Sequence, residues 1–109
     1  RYKEQVMEEN LTNASLVPIR IMELSVEILG ILQEMEEKGS VMVVSDVGVA
    51  VQFARTALTG AVMNVFINTK SMKNREKALE LNGRAHKSME AGILLADQVY
   101  GKVLKRLNP

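Results

Sequence analysis

A chain of 109 residues that is 47% apolar and 25% charged has the balance of one folded domain, or of part of one, and not of a disordered segment. Fourteen Lys and Arg against thirteen Asp and Glu leave a net charge of +1, and the cations are spread along the chain, so the basic footprint of a nucleic-acid binder is missing. With no cysteine and a single histidine, His86, the chain offers no disulfide, no thiolate nucleophile and no grouped ligands for a zinc or histidine-based metal site, and a cytoplasmic location is expected.

The chain opens on Arg1, and no charged segment followed by an apolar stretch marks a signal peptide. A start inside a polar helical pattern suggests a fragment, a processed product or a chain with its beginning missing. Two prolines, one of them terminal, argue for long helices. The charged stretch from Arg1 to about Leu16 reads as a first helix with sparse apolar contacts at Val6, Met7 and Leu11. Pro18 suits the first turn of a second helix, where a missing N–H is harmless. Behind it Ile21, Leu24, Ile28, Ile31 and Met35 recur at spacings of 3, 4, 3 and 4, one apolar stripe of that helix. Lys38-Gly39 is a stop signal, a cation in the last turn followed by a residue that tolerates the left-handed conformation.

Ser40 to Val44 reads as a loop, because an isolated four-residue strand would have no partner. Ser45 or Asp46 then caps an oily helix that runs to about Asn68. At 21 residues, Val47 to Ile67 is long enough to cross a bilayer, but Arg55 at mid-span would cost about 2.5–3.5 kcal/mol, so a core helix is expected and no membrane. Ala50, Ala54, Ala57 and Ala61 form a stripe of small residues; Val51, Leu58, Val62 and Val65 lie opposite. A helix that buries both sides needs neighbours on both, and self-association through the Ala-rich helix 46–68 follows as an expectation. Ser71 reads as a cap or joint before a last helix, about Met72 to Leu107, whose inward positions are Ala78, Leu81, Ala85, Gly92, Ala96, Val99 and Val103. The expected fold is all-α: a bundle of four long or medium antiparallel helices, completed by missing N-terminal helices, by a second subunit, or by both.

Within the oily helix the polar groups sit at the ends. Asn64 and Asn68 are one turn apart, and Asp46 precedes Asn64 by 18 residues, so all share a face; on a straight helix Asp46 and Asn64 lie about 27 Å apart. Asp46 reads equally as a cap or as a site carboxylate, Ser45 as a cap or a ligand contact, and the two asparagines as satisfied core amides or as ligand-binding amides. Arg20, Lys70 and His86 read as surface residues.

The stretches "VPIRIMELSVEIL", "EKGSVMVVSDVGVA" and "TALTGAVMNVFINTKSMK" resemble the cyclodeaminase/cyclohydrolase family, which comprises the C-terminal domain of formimidoyltransferase-cyclodeaminase and its stand-alone bacterial relatives. The resemblance rests on the Val-Pro before Ile19, the Lys-Gly stop, Ser45-Asp46 with Val49-Ala50, and Gly60 leading to Asn64-Val65 and Ile67-Asn68. It implies an all-helical oligomer without a metal or prosthetic group. It further implies a tetrahydrofolate substrate and conversion of 5-formimidoyltetrahydrofolate to 5,10-methenyltetrahydrofolate with loss of ammonia, or cyclohydrolase action in some members. By the same resemblance residues 1–109 are expected to be the C-terminal part of a single all-helical domain, Ser45, Asp46, Asn64 and Asn68 are expected at a substrate site with Asp46 also a candidate catalytic residue, and the family's main catalytic aspartate is expected upstream of Arg1. Two positions depart from the family's pattern: Ser40-Val41-Met42 stands where an Asn-rich turn is usual, and Asn74 where an acid is usual. A non-catalytic helical interaction module is the competing reading.

Overall fold

The computed structural model describes residues 1–109. It contains three helices and no strand: α1 (Tyr2–Lys38), α2 (Val41–Lys70) and α3 (Arg75–Leu107), laid side by side in a rod of 62 × 17 × 16 Å. The two prospective N-terminal helices are one. α1 runs without a break through Pro18, although proline removes an internal N–H and normally disrupts a helix interior.

The α1–α2 turn is shorter than its sequence suggests. α1 stops at Lys38 with Gly39 as its C-cap, but Gly39 is extended (φ −81°, ψ 156°) and not left-handed. Glycine is required there by space: a Cβ would sit 2.5 Å from the Met35 carbonyl oxygen. Ser40 is the N-cap of α2, and Val41 to Val44, expected as loop, form its first turn. Val44 and Val47 are fully or almost fully buried, and this burial draws the segment into the helix. Ser45 and Asp46 therefore lie inside α2, solvent-exposed, and neither is its cap.

At the other turn Ser71 closes α2 instead of opening α3. The cap of α3 is Asn74, whose side-chain oxygen accepts from the Lys77 N–H at 3.0 Å. That is the usual task of a short polar side chain at this position, and it explains how an amide serves there.

Two apolar clusters fill the rod. One joins Ile19 and Met22 of α1 with Leu58, Val62 and Val65 of α2 and Leu81 of α3; the other joins Leu29 with Val44, Val47, Val51 and Val99. Between them Gly92 of α3 lies against Leu58 of α2 and Val26 of α1, so close that a side chain there would displace them. α1 approaches through small inward residues: Ser15 and Ser25 are buried, and each turns its hydroxyl back to a carbonyl one turn earlier, Leu11 and Ile21, at 2.8 Å.

α3 also holds the helix ends. Its Arg106 donates to the carbonyls of Glu36 and Gly39 at 2.6 and 2.9 Å, at the C-terminus of α1. Its Arg75 donates to the carbonyls of Thr69 and Met72 at 2.8 and 2.9 Å, at the C-terminus of α2. Guanidinium groups suit these ends by charge as well as by donors. In return Glu8 of α1 accepts from the backbone N–H groups of Lys73 and Asn74 at 2.8 and 3.0 Å, just before α3. These two bonds, Lys73 first, hold the Glu8 carboxyl below its ordinary range.

Candidate functional site

The inward face of α1 is not the regular stripe. Ile21, Leu24, Ile28, Ile31 and Met35 all point outward, Ile28 being 48% exposed, while Ile19, Met22, Leu29 and Leu32 point in. α1 has two apolar faces, and neighbouring contacts choose between them. Glu23 pairs with Arg84 of α3 at 3.0 Å, and the small residues Ser15 and Ser25 permit close approach. The stripe is left without a partner in this chain.

α2 shows the same division. Its buried residues include Val51, Leu58, Val62 and Val65, and also Ala54 and Ala61, so half of the alanine stripe is used inside the chain. Ala57 is exposed and Ala50 half-buried. The open face is instead Val49, Phe53, Gly60, Met63 and Ile67, with Phe53 73% exposed. α2 is long and apolar enough to cross a membrane by length and composition, and a third of its most apolar stretch is buried. The Arg55 that argued against a span pairs with Asp97 of α3 at 2.9 Å.

The flanking contacts orient these faces. On α2, Arg55 (to Asp97), Phe66 (tilted at 39° against His86 with ring centres 5.0 Å apart) and Thr69 (to Asn82 at 2.6 Å) mark the flank toward α3. Asn68, which donates to the Ala14 carbonyl at 3.1 Å, marks the flank toward α1. On α1, Glu23 marks the α3 side, and Ile31 and Met35, which line a surface hollow with Val43, mark the α2 side. With about 100° per residue, the outward stripe of α1 and the open face of α2 then lie on the same side of the rod, edge to edge. Asp46, Ala50, Ala57 and Asn64 occupy the edge of α2 that borders α1.

Asp46 and Asn64 are therefore together on one face, both exposed, with no hydrogen bond or ion pair from either side chain. They flank an apolar surface formed by two helices. Ser45 is separated from them: it lies toward α3, in an open hollow of about 460 Å³ shared with Gln52, Phe53, Thr56, Tyr100 and Leu104. Asn68 is half-buried and has its amide nitrogen engaged. Arg20 lies in a charged groove with Glu23, Glu27, Arg84 and Lys87, Lys70 is exposed, and His86 is exposed beneath Phe66. No three Asp, Glu or His side chains come together as a metal-ligating group. The long-range clamps of Glu8 and Arg106 have no signature in the sequence, since each joins segments far apart in the chain.

A family model described as formiminotransferase-cyclodeaminase matches residues 1–87, which include all of α1, α2 and the first part of α3. The chain is 33% identical over 106 residues to the methenyltetrahydrofolate cyclohydrolase of Methylorubrum extorquens, a match that covers 94% of this chain and 49% of that protein. It is 35% identical over 66 residues to the formimidoyltransferase-cyclodeaminase of Rattus norvegicus, and equally to that of Mus musculus, in each case over 61% of this chain and 12% of the relative. The chain thus spans about half the length of the bacterial relative and a smaller share of the rodent ones. The family match and the helices it covers agree with the motifs around Pro18, Ser45-Asp46 and Asn64-Asn68: the chain belongs to the formiminotransferase-cyclodeaminase family.

Proposed function

We propose that this chain is part of an enzyme of one-carbon folate metabolism that closes 5-formimidoyltetrahydrofolate to 5,10-methenyltetrahydrofolate and ammonia. The observation that carries the reading is the family match over α1, α2 and the start of α3, the segments that hold the exposed Asp46 and Asn64. In this reaction N10 of the folate adds to the formimidoyl carbon and loses its proton. The amino nitrogen on that carbon gains a proton and leaves as ammonia, and the C–N bond to N5 is retained. The step needs a proton carrier and groups that orient the pterin. Asp46 is suited to the first task because its carboxylate is unengaged at the end of an apolar face. Asn64 is suited to the second because an amide offers a donor and an acceptor side by side, as a pterin edge requires.

Asp46 and Asn64 are too far apart on one helix to serve one reacting atom. Two copies packed antiparallel through the outer faces of α1 and α2 would bring Asp46 of one beside Asn64 of the other, twice by symmetry. Asp46→Asn and Asn64→Ala variants of the intact protein, each inactive alone, are expected to recover ammonia release from 5-formimidoyltetrahydrofolate when mixed and reassembled. Hybrids that stay inactive after verified subunit exchange would sink the shared site; full activity in both single variants would remove these residues from the reaction.

A second reading is hydrolysis of the methenyl group, favoured by the name of the M. extorquens relative, whose match covers most of this chain. Both substrates given to the intact protein separate the two: ammonia appears only from the formimidoyl compound, and loss of methenyl absorbance without added ammonia marks the hydrolase.

A further inference from the structure

Pro18 creates a defect inside α1 that one side chain of α2 repairs. In an unbroken helix the carbonyl of Ala14 would accept from the N–H of residue 18, one turn on. Proline has no N–H, so this carbonyl, on the exposed residue Ala14, loses its helical donor and the stabilisation that bond would give. α1 nevertheless continues for twenty residues beyond Pro18, and Pro18 itself is buried. The donor comes from 54 residues away: Asn68 Nδ2 lies 3.1 Å from the Ala14 oxygen. Asn68 is four residues after Asn64, about 40° away on the helix surface, and Asn64 has no such engagement.

We infer that Asn68 is a positioning residue, a clasp that supplies the hydrogen bond Pro18 removes and thereby fixes the last turns of α2 against α1, leaving Asn64 as the amide that meets the ligand. The assignment of Asn64 rests on the folate reading above; the clasp does not. Pro18 and Asn68 form one device. A chain with proline at 18 and no donor at 68 carries an open carbonyl, and a chain with an ordinary residue at 18 closes its own helix and has no need of the amide.

The test is a double-mutant cycle in the intact protein, read by chemical denaturation. Asn68→Ala should lower the folding equilibrium constant about threefold to tenfold when Pro18 is present, the loss of one solvent-accessible hydrogen bond between α2 and α1. In the Pro18→Ala background, where the N–H of residue 18 reaches Ala14, the same substitution should change it less than about twofold. Equal losses in both backgrounds would overturn the clasp. Asn68→Asp provides a control that needs no change at Pro18: a carboxylate accepts and cannot donate, so it should be at least as destabilised as Asn68→Ala, and wild-type stability would overturn the donor role. Substrate affinity separates the two amides. Pro18→Ala/Asn68→Ala should retain the affinity of Pro18→Ala, whereas Asn64→Ala should lose affinity about tenfold or more with its stability unchanged. Affinity lost in the folded Pro18→Ala/Asn68→Ala protein would make Asn68 itself the ligand group and overturn the positioning role. If Asn64→Ala leaves affinity intact, the assignment of Asn64 falls, while the stability cycle still decides the clasp.

Discussion

The two sides of this rod are built on different rules. The side that carries α3 is more conventional: an amphipathic helix with its seven buried positions turned inward, an exterior that is mainly polar although Leu79, Leu94, Leu104 and Leu107 are exposed, and charged groups at its ends holding the other two helices. The side formed by α1 and α2 has aliphatic residues on the inner and the outer surface alike, with Ile28 and Phe53 open to solvent. A soluble surface seldom carries a continuous apolar patch of this kind unless something binds to it. The comparison teaches that apolar periodicity marks a face without saying what it will meet. On α3 that face meets this chain; on α1 the more regular stripe meets nothing in it.

Substitutions can break this contrast. The largest effect is expected at Leu58, fully buried where the three helices meet beside Gly92. Leu58→Ala should destabilise by about 2–5 kcal/mol, measured by urea denaturation, through lost burial and a residual cavity. Next comes the α3 clamp: Arg106→Met keeps the stem and removes the donors to Glu36 and Gly39. It should cost about 1–2 kcal/mol and loosen the end of α1, seen as faster amide exchange in residues 35–39.

Glu8 gives a smaller, pH-dependent effect. Its carboxyl is held below the ordinary value of 4.5 in the fold. Its stabilising contribution is then present above that value and disappears as pH falls through it toward the lower folded pKa. Wild type should exceed Glu8→Gln in denaturation midpoint near neutrality, and the two curves should converge in acid; parallel curves would show that the Lys73 and Asn74 bonds do not matter. The smallest change is expected for Ile28→Ala on the outer face, within about 0.5 kcal/mol at low protein concentration. A loss as large as that of Leu58→Ala would break the comparison, and a loss that grows with concentration would place a second copy on the face.

The fold class was legible because helix periodicity and the scarcity of proline are local properties. All seven inward positions of α3, from Ala78 to Val103, follow from their spacing alone. The course of α1 was not legible, since Pro18 obeys a local rule for helix starts, and the donor that overrides this rule sits on another helix. Its inward face was hidden for a related reason: Met22 and Leu29 compete with an equally apolar stripe, and only the placement of α2 and α3 decides between them. The start of α2 shows burial overriding capping preference, as Val44 and Val47 extend the helix ahead of Ser45 and Asp46. For the candidate site, the shared face of Asp46 and Asn64 was readable from their spacing. The departure of Ser45 toward α3, and the engagement of Asn68, depend on contacts between helices.

The two arginine clamps make α3 a yardstick. Arg75 grips the end of α2 and Arg106 the end of α1, and these grips lie 31 residues apart, about 46 Å of helix. One residue added between them would advance the far grip by about 1.5 Å and turn it by about 100°, which takes a guanidinium away from its carbonyls. α3 therefore tolerates a change of letter on its outer surface far better than a change of length, a difference that unfolding midpoints of an alanine inserted after Lys87 and of Lys87→Ala would register. Within this rod the length of α3 is as much a part of the specification as the residues that compose it.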